Sequence, residues 1–344
     1  MTDRRLDELG FYLLAGGATS PAALLDEARE GEALGLGTAF ISERYNVKEA
    51  ATLAGAAGAV TSEVRIATAA TNHNTRHLLV TASHAMTMHK LTGGRYVLGL
   101  GRGIPLMQDA FGIPRITTAQ MEDAAGLLRR LWKGEVILGH QGPAGSWPVL
   151  HLGSEFDEDI PLLLVAFGPE SLKLGGRAFD HVVLHTFFTD ETTERAVRTV
   201  KGAAEQAGRD PASVTVWSCF ATVGDHLSEE VRLRKTVGRL AGYIQGYGDL
   251  LVATNGWDPA PLATFRADAV VGSFAGAIDQ KATTEQLEHI ATLLPEEWLA
   301  SAATGSPERC AAAVRGQFAL GADAVILHGA SPGELAPVVD AYAS

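Results

Sequence analysis

Short apolar or β-branched runs alternate along the chain with amphipathic segments that open at Ser, Thr or Asn and close at Gly, which predicts a repeated strand–helix order. Strands are expected over residues 11–15, 38–42, 64–70, 96–100, 162–166, 181–185, 214–220 and 324–328. Ser20 and Pro21 read as the N-cap and first turn of a helix running to Gly35. Asn46 with Glu49, and Thr117 with Gln120, have the spacing of capping boxes, while Ser306 and Pro307 open a helix that Gly321 closes. Eight strands, each followed by a helix, predict an α/β fold of the closed (β/α)8 barrel kind, with a doubly wound parallel sheet as the alternative.

Such a barrel takes about 250 residues, so a chain of 344 must carry insertions. Residues 135–160, centred on GHQGPAGSWP, predict a hairpin or flap, and residues 227–299, which hold no clear strand, predict a helical insertion. No stretch reads as a linker, so residues 1–344 are expected to form one domain.

Composition changes this picture mainly by exclusion. Forty acidic against 28 basic residues give a net charge of −12 without any basic cluster, which argues against nucleic acid or an anionic membrane as partner. Any anionic ligand must then be met by local charges. The start lacks a signal-like apolar run and no segment approaches the roughly 18 apolar residues of a membrane span, so a cytoplasmic protein is expected. Cys219 and Cys310 are expected to be free thiols.

In a barrel the chemistry belongs at the C-terminal ends of the strands. There the sequence places SERYN (Glu43, Arg44, Tyr45), TNHNTRH, GLGRG (residues 99–103), AFGPES, HTFF, CFAT and HGA. GLGRG is GxGxG, followed by Pro105 and without an acidic strand end about 20 residues on, so the dinucleotide fingerprint fails its context. Its glycines fit either close backbone approach to a flat ligand or tight packing at the rim, with Arg102 as an anion donor. Gly168 and Pro169 open a helix whose free N–H groups fit a phosphate, or form an ordinary strand–helix turn. His73 and His77 lie four apart, but no glutamate follows His73 and no third ligand is near, so no metal is expected. His185 and His328 are rim candidates for proton transfer or for hydrogen bonds to a ring carbonyl, or else cap strand ends. Every lysine is expected on a helix or surface loop, which argues against Schiff-base chemistry, and no GxSxG elbow is present. Trp147, Tyr243, Tyr247 and Trp257 either line a pocket or pack in the core.

VRIATAATNHNTRH followed by LTGGRYVLGLGRG resembles the bacterial luciferase-like superfamily, in particular its branch that uses the deazaflavin coenzyme F-420. The resemblance covers nearly the whole chain. It implies a deazaflavin or flavin ring in the barrel mouth, backed by a bulge with a non-prolyl cis peptide that falls here at Ala69 and Ala70. It further implies Asn72 at the ring edge, Gly101, Arg102 and Gly103 beside the cofactor's chain, and the backbone of Ala166, Phe167, Gly168 and Pro169 around its phosphate. Sugar-phosphate dehydrogenases of the family carry His after the acidic residue of the second strand and Glu after the fourth-strand glycines. Here those positions are Arg44 and Ile104.

The resulting expectation is an enzyme that transfers hydride between coenzyme F-420 and a small-molecule substrate, as a homodimer, with Glu43, Arg44 and His185 as catalytic candidates. Arg44 could also bind an anionic substrate or the cofactor. The alternatives are an FMN-dependent monooxygenase fed by a separate reductase and a flavin-binding protein without turnover.

Overall fold

The computed structural model describes residues 5–16, 18 and 20–344. Eight parallel strands form its centre: β1 (Leu6–Tyr12), β2 (Leu36–Ile41), β3 (Arg65–Thr68), β4 (Tyr96–Leu100), β5 (Leu162–Val165), β6 (His181–Val183), β7 (Thr215–Gly224) and β8 (Ala324–His328). Each pairs with the next, and β8 returns to β1 with Leu9 opposite Val325, so the sheet closes into a (β/α)8 barrel. Closure leaves no unpaired edge among these strands. The surrounding layer is α1 (Leu24–Ala33), α2 (Ala50–Val60), α3 (Leu78–Leu91), α4 (Thr118–Trp132), α5 (Pro169–Ala178), α6 (Asp190–Gln206), α7 (Pro307–Ala319) and α8 (Pro332–Ala343).

Strands buried on both faces read as continuous apolar runs, and all five residues of β4 are buried. Inside the barrel Phe40, Val97, Leu163, Val183, Trp217 and Ile326 pack as one cluster, with the Phe40 ring edge-on to Trp217 at 5.1 Å. Full burial of one such ring contributes about 1.5–3 kcal/mol. A second, larger cluster fills the space between strands and helices. No helix among the described residues is long and apolar enough to cross a membrane.

β4 and β8 coincide with their predicted spans, but β1 begins at Leu6 rather than at residue 11. Asp7 and Glu8 hide it in the sequence, and pairing to both neighbours overrides their low strand preference. α1 opens at Leu24, later than Ser20 and Pro21 predict, because the Ser20 hydroxyl caps a turn at the Ala22 N–H. Glu49 is itself the N-cap of α2, accepting from the Ala51 and Thr52 N–H groups, while Asn46 accepts from the Lys48 N–H. The Thr117–Gln120 capping box is present as predicted. Residues 135–160 contain the expected hairpin, Ile137–Gly142 against Gly145–Leu150. Residues 227–299 are helical, and their longest element, the insertion helix Arg239–Asn255, breaks at Tyr247 (φ −157°, ψ 40°). The short strand Ala303–Gly305 pairs with the far half of β7 and explains why β7 outruns its prediction.

Candidate active site

The ends of β3 and β4 are pressed together. A Cβ on Gly99 would lie 1.7 Å from the Thr68 carbonyl oxygen, and one on Gly101 would lie 2.8 Å from the Ala70 Cβ. Only glycine permits that approach, so the wall facing the mouth here is backbone and small side chains. Past β3 the peptide between Ala69 and Ala70 is cis, as the resemblance implies. The Tyr12 hydroxyl donates to the Ala69 carbonyl at 3.1 Å, and the Glu43 N–H donates to the Ala70 carbonyl at 3.1 Å. Asn72, 5% exposed, locks the same corner: its amide donates to the Gly101 carbonyl at 2.7 Å and accepts from the Tyr45 hydroxyl at 2.9 Å. Gly103 follows with φ +76°, and the Arg102 guanidinium donates to the Thr118 hydroxyl.

Behind this wall Glu43 acts as a junction. Its carboxylate accepts from the Ala50 N–H at 3.2 Å, the Thr71 hydroxyl at 3.0 Å and the Arg76 guanidinium at 3.4 Å. Arg76 also pairs with Glu49 and donates to Thr71. His77 caps α3 by accepting from the Leu79 N–H at 3.2 Å. The polar half of TNHNTRH thus ties the loop to α2 and α3.

At the end of β5, Ala166 is buried, and Gly168 is the N-cap of α5 with Pro169 in its first turn. No side chain caps this helix, and a Cβ at Gly168 would meet nothing within 4 Å. Pro169 has no N–H and the Ser171 N–H donates to the Gly168 carbonyl at 3.1 Å, so the Gly168 and Glu170 N–H groups are the ones at this helix start where an anion would be favoured. Phe167 turns toward His185, with ring centroids 4.5 Å apart.

His185 follows β6 inside an aromatic box of Phe167, Phe188, Tyr243 and Tyr247. Its Nδ1 lies 2.8 Å from the Thr186 carbonyl oxygen, which can only accept, so Nδ1 carries the proton. Nε2 then accepts from the Tyr247 hydroxyl at 2.8 Å. Burial pushes the His185 imidazole down to about 4 and the Tyr247 phenol well above its usual value, so the pair is neutral near pH 7. The break in the insertion helix at Tyr247 falls at the residue that makes this contact. His328, ending β8, is 8% exposed and edge-on to Tyr12 at 5.2 Å.

Of the four aromatics singled out in the sequence, Tyr243 and Tyr247 reach this box. Trp147 stacks on His140 in the hairpin, and Trp257 stacks on Trp298 at 4.8 Å. Lys48 departs from its surface assignment: it is 2% exposed, and its ammonium donates to the Leu14 carbonyl at 2.8 Å and the Ser42 hydroxyl at 3.1 Å. Burial first, then the Arg44 and Arg239 charges, push it down to about 7. No motif signals Tyr12 or Arg239: Tyr12 falls inside a predicted strand, and Arg239 lies in the insertion. Both cysteines are free and buried, and burial pushes Cys219 up to about 12, leaving it an inert thiol. Among the described residues no group of three or more His, Cys, Asp or Glu side chains could hold a metal ion.

The sequence model of the family described as luciferase-like monooxygenase matches residues 8–324. A 5,10-methylenetetrahydromethanopterin reductase of Methanolobus tindarius is 25% identical over 307 residues, 87% of each chain. Among solved structures, the coenzyme F-420-dependent tetrahydromethanopterin reductase from Methanopyrus kandleri superposes with a TM-score of 0.80 at 20% identity, covering 96% of this chain and 97% of that one. The FMN-bound oxygenating constituent of 3,6-diketocamphane monooxygenase, from a plasmid of Pseudomonas putida, gives 0.64 at 18% identity, covering 97% and 95%.

Proposed function

We propose, from the premise that the chain belongs to the luciferase-like monooxygenase family and is thereby an F-420- or flavin-dependent oxidoreductase, that it transfers hydride between coenzyme F-420 and an organic substrate. The observation that carries the proposal is the neutral His185–Tyr247 pair standing at the same barrel mouth as the glycine and alanine wall of β3 and β4. Such a wall suits a flat ring, and the uncapped start of α5 suits a phosphate, so the residues present fit the coenzyme. Ala69, Ala70 and Gly101 would back its ring, Asn72 would reach the ring edge with its remaining N–H, and Arg102 and Gly103 would flank its chain. Of the backbone from Ala166 through Phe167 and Gly168 to Pro169, the Gly168 N–H, with that of Glu170 beside it, would hold the phosphate, because the Ala166 and Phe167 N–H groups donate to the Val183 carbonyl and the Ser171 hydroxyl. When bound, the coenzyme supplies the carbon that gives or accepts hydride.

Hydride exchange with a carbonyl, imine or alcohol needs a matching proton. The free lone pair of Tyr247 is placed to accept a substrate proton while its own proton moves to His185 Nε2; the reverse order delivers a proton. Thr186 fixes the tautomer that makes this possible. Glu43, committed to three donors, serves in this reading as an anchor for the loop rather than as the proton carrier.

Titrating the purified protein with coenzyme F-420 and with FMN tests the proposal. Binding of F-420 and reoxidation of its reduced form by a carbonyl or imine panel are expected. Tight FMN binding without response to F-420 would favour the monooxygenase reading, and cofactor binding without turnover on any substrate would favour a non-catalytic one.

A further inference from the structure

Burial holds the His328 imidazole well below its usual value, and Arg239, then His185, Lys48 and Arg44, push it the same way. This occurs in a protein whose net charge is −12. Arg239 enters from the insertion helix, is 9% exposed, and has one partner carboxylate, Asp279 at 3.1 Å. One of its terminal nitrogens lies 2.5 Å from where a Cβ on Gly16, past the end of β1, would stand. Its Nε, and the Nδ1 of His328, are buried without a hydrogen-bond partner. Arg44 is exposed, makes no ion pair among the described residues, and holds only the Glu43 carbonyl, at 3.3 Å. Lys48 supports the cluster from behind, with both of its acceptors neutral.

Buried donors are normally satisfied, and buried like charges are normally separated or compensated. Here the first rule fails at Arg239 Nε and His328 Nδ1. The second is met only in part, because Asp279 answers Arg239 and Glu27 bears on Lys48 while Arg44 has no carboxylate partner among the described residues. A ligand that brings negative oxygen atoms to this part of the mouth supplies what is missing. We infer that the substrate of the hydride transfer carries an anionic group, a carboxylate or a phosphate, and that Arg44 and Arg239 receive it, with His328 contributing a neutral N–H. The inference rests on the hydride-transfer reading for the word substrate; the anion subsite itself does not. Arg239 is the fixed half of the subsite, held by Asp279, and Arg44 is the half free to close over the bound group. A planar guanidinium takes two oxygens of either anion, and desolvation by the surrounding Tyr12, Tyr243 and Tyr247 strengthens each contact.

The test is calorimetric titration of the F-420-loaded protein, and of the cofactor-free protein, with benzoate and phenyl phosphate against their neutral counterparts benzamide and benzyl alcohol. An anion preference of about tenfold or more is expected, since one partly desolvated charge-assisted contact commonly carries that factor. The better of the two anions tells carboxylate from phosphate. Arg44→Gln should erase most of the preference and Arg44→Lys should restore part of it, with F-420 affinity unchanged in both. Because Arg239→Gln alone would leave Asp279 buried and unpaired, it is made together with Asp279→Asn, and it too should erase the preference. Equal affinity for anionic and neutral probes, or a preference that survives both the Arg44→Gln and the double variant, would overturn the inference. So would loss of F-420 affinity with the probe preference intact, which would assign the cations to the cofactor. If F-420 does not bind but the cofactor-free protein keeps the preference, the subsite stands and the hydride-transfer reading falls.

Discussion

The two sides of the barrel mouth differ in the charge their polar groups carry and in what those groups are bound to. Along β2, β3 and β4 the groups that set the wall are matched to one another: Glu43 meets three donors, Asn72 bonds to Gly101 and Tyr45, and Thr68 both donates to and accepts from Gly99. Thr38 Oγ1, His73 Nδ1, Asn74 Oδ1 and Arg102 Nε are nonetheless buried there without a partner among the described residues. Along β6, β8 and the insertion helix, His185 and Tyr247 meet each other, while Arg239 Nε and His328 Nδ1 are buried without a partner among cations. Satisfied networks hold a shape, whereas unsatisfied buried groups cost free energy that a ligand can recover. On the proposed function the first side is the shelf for the ring and the second supplies the proton partner and the substrate's anion subsite. Both are needed, because a proton partner is useful only when the ring it serves cannot move.

The largest effect should come from the reactive side. His185→Gln keeps a polar side chain but removes the imidazole that in the proposed mechanism takes the Tyr247 proton, and kcat should fall about 10²- to 10⁴-fold, the usual worth of general acid–base catalysis. Stopped-flow reoxidation of reduced F-420 measures it, with F-420 affinity as the control. An unchanged rate would mean that the aromatic box is only packing. On the shelf, Gly99→Ala drives a methyl group into the Thr68 carbonyl and should destabilise the fold by about 3 kcal/mol or more. A loss below about 1 kcal/mol in urea melts would show that the two strand ends part easily and do not hold a ring in place.

The shelf was also the more legible side in the sequence. Its elements are local: GLGRG closes a strand, TNHNTRH joins a strand to a helix, and the residues that bond to each other there lie near in the chain or on adjacent strands. β4 was readable to the residue because an apolar run between Gly94 and Gly101 admits little else. What remained hidden on that side was competition between neighbours, as when Glu49 rather than Asn46 capped α2. The reactive side depends on distant partners. His185 and Tyr247 are 62 positions apart, and Tyr247 reaches the imidazole from a helix whose pattern named no target. Arg239 looks like any helical arginine until the insertion folds onto the mouth. Lys48 shows the same limit in reverse, since a lysine in a polar loop gives no sign that the ends of β1 and β2 will close over it.

Acid should separate the two sides further. Burial pushes His185, His181, His84 and His73 each down to about 4, and His328 well below its usual value. An unfolded histidine titrates near 6.5. As pH falls below that value the unfolded chain takes up protons that the folded chain refuses, so stability present above about pH 6.5 is lost progressively down to about 4. Each such group contributes a slope of up to about 1.4 kcal/mol per pH unit. Thermal melts from pH 7.5 to 4.5 should show the loss. His328→Asn, on the reactive side, should flatten the acid limb more than His73→Asn, because cations surround His328 whereas burial alone depresses His73. Equal flattening would remove the electrostatic distinction between the sides.

The smallest effect is expected at Glu43. Glu43→Gln keeps one acceptor oxygen, for the Ala50 N–H, and replaces the other by an amide NH2 from which the Thr71 hydroxyl can turn to accept, while Arg76 loses this long contact but retains Glu49. The side chain of Glu43 is 6% exposed, which places the contact above the worth of a surface pair. A loss of about 1 kcal/mol in stability is therefore expected, with kcat within about twofold of the parent protein. The comparison turns on that second number. If kcat instead falls as far as in His185→Gln while stability holds, the carboxylate moves a proton, and the shelf is part of the chemistry rather than its support.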